Sequence, residues 1–206
     1  MRTLITAGPT QEPIDAVRYI GNRSSGRMGR ALAEAALRAG HVVTLVVGPV
    51  SELMPENLHR IDVQTAQQMY DAVLAEFPHH DLLIMAAAVS DFRPKNKTPA
   101  KLERGGNLVL ELESTPDILA AAGAIKQPHQ RTVGFSLESV PDLTRTARKI
   151  EQKRVDLIIY NSIETIANAN IAATLLYPGG KTERLPSRSK GEFADILLQR
   201  SVALFG

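Results

Sequence analysis

The chain has 206 residues, 44% hydrophobic and 22% charged, with a formal net charge of +2. That length supports one substantial core and is short for two full domains, so a single domain over 1–206 is expected. The absence of cysteine excludes disulfides, a thiolate nucleophile and Cys-ligated zinc; with no polybasic tract and only four Tyr and five Phe, small anionic ligands suit the chain better than nucleic acid.

Arg2–Ala7 is short, apolar and closed by Gly8-Pro9, which predicts a buried first strand. Then comes Asn22-Arg23-Ser24-Ser25-Gly26-Arg27-Met28-Gly29, where Ser24 or Ser25 is expected to cap a helix. Its Ala/Leu-rich body covers 30–39, and Gly40 stands where a left-handed C-terminal cap belongs. Gly26 and Gly29 lack a Cβ, and the N–H groups of a first helical turn attract phosphate or carboxylate, so this segment predicts an anion site. The spacing is neither GxGxxG nor GxxxxGK[ST], and a Ser-capped helix packed tightly on its sheet is the competing reading.

Onward, Val42–Val47 reads as a strand, 61–63 as a short strand, 65–76 as a helix and 81–87 as a strand ending in small residues. Gly105-Gly106-Asn107 predicts a hairpin turn within 101–112. Helix 116–124, strand 132–137, helix Leu143–Lys153 and strand 155–160 follow. Gly179-Gly180 should turn a second hairpin between 172–177 and 182–185, and Ser189-Lys190-Gly191-Glu192 has the form of a capping box opening the last helix. This alternation predicts an α/β, Rossmann-like three-layer fold: a mostly parallel sheet, helices on both faces and protruding β-hairpin flaps. The loops after Ala7, Val47, Ala87, Leu137 and Asn161 should share the ligand-binding rim. The five His show no ligand spacing, so no protein metal site is expected. Nothing near Met1 resembles a signal peptide and no apolar run approaches a membrane span, so a cytoplasmic protein is expected.

The string from Ile5 to Gly29, with Thr6-Ala7-Gly8-Pro9-Thr10, Glu12-Pro13-Ile14-Asp15, Val17-Arg18, Asn22 and Ser24-Ser25-Gly26-Arg27-Met28-Gly29, closely resembles the opening of phosphopantothenate–cysteine ligases, TAGGT-EPID-VR-I-N-SSGKMG. The resemblance continues through Ala86-Ala87-Ala88-Val89-Ser90-Asp91-Phe92-Arg93-Pro94, Thr115-Pro116-Asp117-Ile118-Leu119, Val133-Gly134-Phe135 and Leu185-Pro186 with Ser189-Lys190. It covers nearly the whole chain in order.

The resemblance implies activation of the 4′-phosphopantothenate carboxylate by CTP, or ATP, with Mg²⁺, to an acyl-nucleotide and pyrophosphate, followed by attack of cysteine's amine. It implies Asn22 and Lys101 as catalytic, Asn22 holding the acyl intermediate and Lys101 facing the triphosphate from a flap. Nucleotide contacts are implied for Gly8, Ser25, Gly26, Met28 and Gly29, for Ala86, Ala87 and Asp91, for Pro116, Asp117 and Ile118, and for Phe135, Lys149 and Lys153. Arg18, Asn22 and Ala88 are implied to bind phosphopantothenate. A homodimer and a separate flavin-dependent decarboxylase are the implied partners, with no nucleic acid and no membrane; Met1 directly before the first strand suggests a stand-alone ligase or an excised half.

Each residue also has a structural reading. Lys101 is a solvated surface lysine, Lys149 and Lys153 are one basic helix face supported by Glu151 and Asp156, Phe135 is core, Asp117 favours a helix dipole and Asn22 caps a loop. The chain departs from the family at Pro9, at Glu103 and Arg104 of the K-I-K-K motif (Lys101-Leu102-Glu103-Arg104), at Ser162, at Ser139 after Glu138, and across 166–170. Those departures favour a non-catalytic nucleotide- or phosphopantothenate-binding protein as the alternative. An NAD(P) oxidoreductase shares the strand–glycine–helix opening but lacks the glycine spacing and an acidic residue ending the second strand, where Val47-Gly48-Pro49 stands.

Overall fold

The structure, a computed structural model, describes residues 1–138, 143–162 and 170–206. Ser139 and the 166–169 stretch, both departures from the family pattern, lie outside the described residues.

In chain order the elements are β1 (Arg2–Ala7), β2 (Gln11–Pro13), β3 (Tyr19–Gly21), α1 (Arg27–Arg38), β4 (Val42–Val47), β5 (His59–Asp62), α2 (Ala66–Glu76), β6 (Leu82–Met85), β7 (Phe92–Pro94) and β8 (Leu112–Ser114). Then come α3 (Ile118–Ile125), β9 (Arg131–Glu138), α4 (Leu143–Lys153), β10 (Leu157–Ser162), β11 (Asn170–Leu176), β12 (Thr182–Ser189) and α5 (Lys190–Val202). Eight strands form one sheet in the order β12-β11-β10-β9-β6-β1-β4-β5, parallel from β10 to β5, with antiparallel β11 and β12 at one edge.

Strand side chains alternate between faces, and the central strands are apolar on both. Ile5, Leu45, Val47, Leu82, Ile84, Leu157 and Ile159 pack with α1 and α5. Their neighbours Leu4, Val46, Leu83 and Met85 pack with Met69 and Val73 of α2 and with Ile118 and Ala122 of α3. Ile158 and Tyr160 meet Ile150 of α4 on that second side. The expected three layers result.

The second hairpin forms as expected, with Gly179 and Gly180 both at positive φ between β11 and β12. Gly40, at φ 77, terminates α1: its N–H donates to the Leu37 carbonyl and that of His41 to the Ala36 carbonyl, the paired bonds of a Schellman motif. Ser189 and Glu192 form the expected capping box of α5.

Two expectations fail. Helix α1 begins at Arg27 behind Gly26, which adopts φ 79, and no serine side chain caps it. The hydroxyls instead accept within their own turn, Ser24 Oγ from the Gly26 N–H at 3.4 Å and Ser25 Oγ from the Arg27 N–H at 3.5 Å. The hairpin within 101–112 is absent: Gly105-Gly106 lies in an irregular excursion, and the ladder is between β7 and β8, extended by Lys95 N–H donating to Glu111 O at 3.0 Å. Leu108 and Val109, 59% and 88% exposed, gain no burial from pairing, so their alternation has nothing to satisfy. The short pair β2–β3 was not anticipated.

Candidate functional site

The loops after β1, β4 and β6 meet at one rim, as expected for this sheet, whereas those after Leu137 and Asn161 run into 139–142 and 163–169, outside the described residues. Those after β1 and β6 are laced together. Ala88 N–H donates to Gly8 O at 2.8 Å, Thr10 N–H to Ala88 O at 3.3 Å, Ser90 N–H to Thr10 Oγ1 at 2.9 Å and Ala87 N–H to Thr6 Oγ1 at 3.1 Å. Thr115 Oγ1–H then ties the segment before α3 to Ser90 O at 2.6 Å. Sequence reasoning missed these hydroxyls, whose partners are far away in the chain.

Between the ends of β6 and β9 and the start of α3 lies a cleft of about 410 Å³. It brings together seven predicted residues: Ala87, Asp91, Pro116, Asp117, Ile118, Phe135 and Lys153. Met85, Val89, Ser114 and Thr115 also line it. Phe135 is half-buried, packing against the core and lining the cleft. Ile118 is core as well as wall, and Ala86 packs partly against the core.

Of the two predicted lysines on α4, Lys153 lines this cleft and Lys149 is not part of its wall. Lys153 Nζ lies 2.7 Å from Asp117 Oδ2, while Asp117 Oδ1 accepts from the Ala120 N–H at 3.0 Å and caps α3. One carboxylate thus serves the helix and fixes an ammonium at the cleft. Lys149 Nζ approaches Ser136 Oγ at 3.5 Å. Asp156, expected to support these lysines, is instead held by Lys126 at 2.7 Å and by the Thr132 N–H at 2.7 Å.

Beside the cleft, α1 presents its first turn. An added Cβ on Gly29 would stand 2.3 Å from Ala7 Cβ, so this glycine sets the helix against the strand end; on Gly8, at φ 75, it would stand 2.7 Å from Val50 Cγ1, which sets the loop after β1 against the loop after β4. Met28 packs its side chain against the core, leaving its backbone to the rim. Exposed Asn22 donates from Nδ2 to Val89 O at 2.8 Å, which fixes its amide beside Ala88; an amide has a second N–H and an acceptor oxygen as well. Ser25 stays exposed.

Arg18 turns to Asp15, with Nη1 2.9 Å from Oδ2. Lys101 is exposed and is not part of the cleft wall; it sits on the 95–111 excursion next to Leu102, whose N–H donates to Asp15. A second, shallower depression of about 480 Å³ lies near β5, where Arg60 and Asp62 pair with each other at 2.7 Å.

A mostly parallel α/β sheet with a glycine-packed helix start, and a cleft at its carboxyl rim whose charged lining is Asp91, Asp117 and Lys153, defines a Rossmann-like protein. The chain belongs to the family described as DNA/pantothenate metabolism flavoprotein C-terminal domain, whose model matches residues 1–204. It is 41% identical over 210 residues to the coenzyme A biosynthesis bifunctional protein CoaBC of Vibrio vulnificus (strain YJ016), covering 98% of this chain and 52% of that protein. It thus spans about half the length of the curated relatives it matches. The crystal structure of the C-terminal domain of a CoaBC protein superposes with a TM-score of 0.83 at 37% identity, covering 98% of this chain and 95% of that one. The DNA/pantothenate metabolism flavoprotein from Streptococcus pneumoniae gives a TM-score of 0.85 at 26% identity, covering 98% and 99%.

Proposed function

We propose that residues 1–206 act as one phosphopantothenate–cysteine ligase unit of coenzyme A biosynthesis, using CTP, with ATP as the alternative nucleotide. The observation that carries this is the cleft that gathers Ala87, Asp91, Phe135 and Lys153 at the rim, with the Asn22 amide on the adjoining loop. The name of the Vibrio relative adds the pathway.

In this mechanism the carboxylate of phosphopantothenate attacks the α-phosphorus. One acyl O–P bond forms and the bond to the β-phosphate oxygen breaks, releasing pyrophosphate. Cysteine's amine then attacks the acyl carbon, the nucleoside monophosphate leaves, and the amine's proton passes to solvent. The chain supplies position and charge. Ala86 and Ala87 leave room and backbone groups for the base edge, Phe135 packs on base or ribose, and Asp91 accepts from a hydroxyl or the cytosine amine. Lys149, Lys153 and Lys101 neutralise the phosphates. Backbone groups of Gly8, Ser25, Gly26, Met28 and Gly29, with Pro116, Asp117 and Ile118, complete the nucleotide's surroundings.

Asn22 holds the acyl carbonyl, while Arg18 and Ala88 contact the pantothenate arm. Mg²⁺ fits as a cation carried by the phosphates themselves, and it would screen charge on the leaving pyrophosphate. A homodimer is supported by exposed Val17, Tyr19, Phe92 and Leu112 around β2–β3 and β7–β8. A cytoplasmic location and a separate flavin-dependent decarboxylase supplying the next step are part of the proposal; among the described residues no helix is long and apolar enough to cross a membrane.

Pyrophosphate release, assayed with phosphopantothenate and CTP or ATP, is expected to require the acid. Lys101→Gln should keep the fold and lose about 100-fold in release, the scale of a lost electrostatic group at a reacting phosphate. No release with either nucleotide from a folded protein would leave a binding protein in its place.

A further inference from the structure

Asp15 is nearly inaccessible, 5% exposed, with its side chain at 0%. Its carboxylate accepts four hydrogen bonds. Oδ1 takes the N–H groups of Val17 and Arg18, each at 2.7 Å; Oδ2 takes Arg18 Nη1 at 2.9 Å and the Leu102 N–H at 3.1 Å. Three donors belong to its own loop, the usual behaviour of an aspartate turning a chain. The fourth comes from 87 positions away, on the residue after Lys101.

Two further bonds join the same segments: Thr98 N–H to Ile14 O at 3.2 Å, and Arg18 Nη2 to Leu102 O at 3.5 Å. Lys101 is therefore bracketed by attachments at Thr98 and Leu102 on an excursion with no ladder of its own. The Val17 N–H is the main influence holding the Asp15 carboxyl below its ordinary range; burial opposes it, and the Arg18 and Leu102 amides and the Arg18 charge add to it. At neutral pH the attachment is charged and strong for its kind.

The geometry points to Asp15 as a positioning residue, the latch that docks the 98–104 segment on the β2–β3 loop and so places the Lys101 ammonium. This rests on the role proposed above for Lys101. Asp15 touches no reacting atom; it acts through a backbone bond next to the residue that does.

The test uses Asp15→Asn, Leu102→Pro and Lys101→Gln in the full chain, read by hydrogen exchange and by pyrophosphate release. Asp15→Asn should exchange faster in a peptide covering 96–104 without substrates, while peptides of β1 and β6 stay protected. It should also release pyrophosphate about 10- to 100-fold more slowly, the scale of a misplaced group near the chemistry, with no further loss when combined with Lys101→Gln. Unchanged exchange at 96–104 would overturn the latch. Faster exchange with losses that multiply in the double variant would overturn the placement of Lys101. Should Lys101→Gln alone match the parent in release, the Lys101 role fails, and the exchange result still decides the docking. If Asp15→Asn does not fold, Leu102→Pro, which deletes the far donor and leaves the other three, must show the same faster exchange or the latch is wrong.

Discussion

Lys153 is a cation whose partner decides what it can do. Its 2.7 Å contact with Asp117 shares the charge a phosphate would use, and the same carboxylate caps α3. Two substitutions separate these duties. Asp117→Ala should cost about 1 kcal/mol of stability, the usual worth of an N-cap, measured by denaturant unfolding. Asp117→Asn keeps a capping oxygen and should leave stability nearly unchanged while lowering the nucleotide KM, because the ammonium no longer answers to a carboxylate; a raised KM would make Asp117 a holder of Lys153 instead. At this scale the sequence announced residue types well and pairings poorly. Asp117 was recognisable as a helix-start residue, and Lys149 with Lys153 as one face, since both follow from spacing of three to four. That Lys153 would choose Asp117 and leave Asp156 to Lys126 depends on how α3 lies against α4, which no local pattern records.

Elements owe their placement to a few close approaches. A Cβ on Gly123 would fall 1.9 Å from the Lys153 carbonyl oxygen, so α3 reaches the end of α4 only because that hydrogen is there. Gly29 does the same for α1 on Ala7. Gly29→Ala is expected to destabilise by about 1–3 kcal/mol, the range of core overpacking, and thermal unfolding would show it. At the antiparallel edge, Glu183 on β12 is gripped by Arg200 of α5 at 2.8 Å. Arg200's hydrogen bonds are the main cause holding the Glu183 carboxyl below its ordinary 4.5; burial opposes, and Arg200 charge, Tyr177 and Lys181 assist. A carboxyl lowered in the folded state stabilises fully above its unfolded value and loses that contribution as pH falls through the folded value. Glu183→Gln should therefore lower the melting temperature at pH 7, with the gap to the parent closing below about pH 4, within the range over which native carboxylates titrate. The Gly179-Gly180 hairpin was legible because two positive-φ glycines stand between alternating strands that bury one face. The 101–112 pattern offered the same letters without a surface to cover, and β2 and β3, three residues each, are too short for periodicity to register.

The whole molecule follows from repeated strand–helix–strand order, which is why its sheet could be read before it was seen. Apolar runs such as Val42–Val47 and Leu82–Met85 need cover on both faces, and right-handed crossovers then bring the loops to one rim. What that order could not convey is the stitching of the rim by Thr6, Thr10, Ser90 and Thr115, or the long reach of Asp15 to the 95–111 excursion. The proposed chemistry belongs to this scale, since base, phosphates and acid must lie together across the loops from β1 and β6 and the β9 residue Phe135. Its most direct test is mass spectrometry of the products formed with phosphopantothenate, CTP and Mg²⁺ when cysteine is withheld. The account predicts a species with the mass of phosphopantothenate joined to cytidine monophosphate with loss of water, converted to phosphopantothenoylcysteine once cysteine is added. A folded chain that binds the nucleotide yet yields no acyl-nucleotide with CTP or ATP would contradict it.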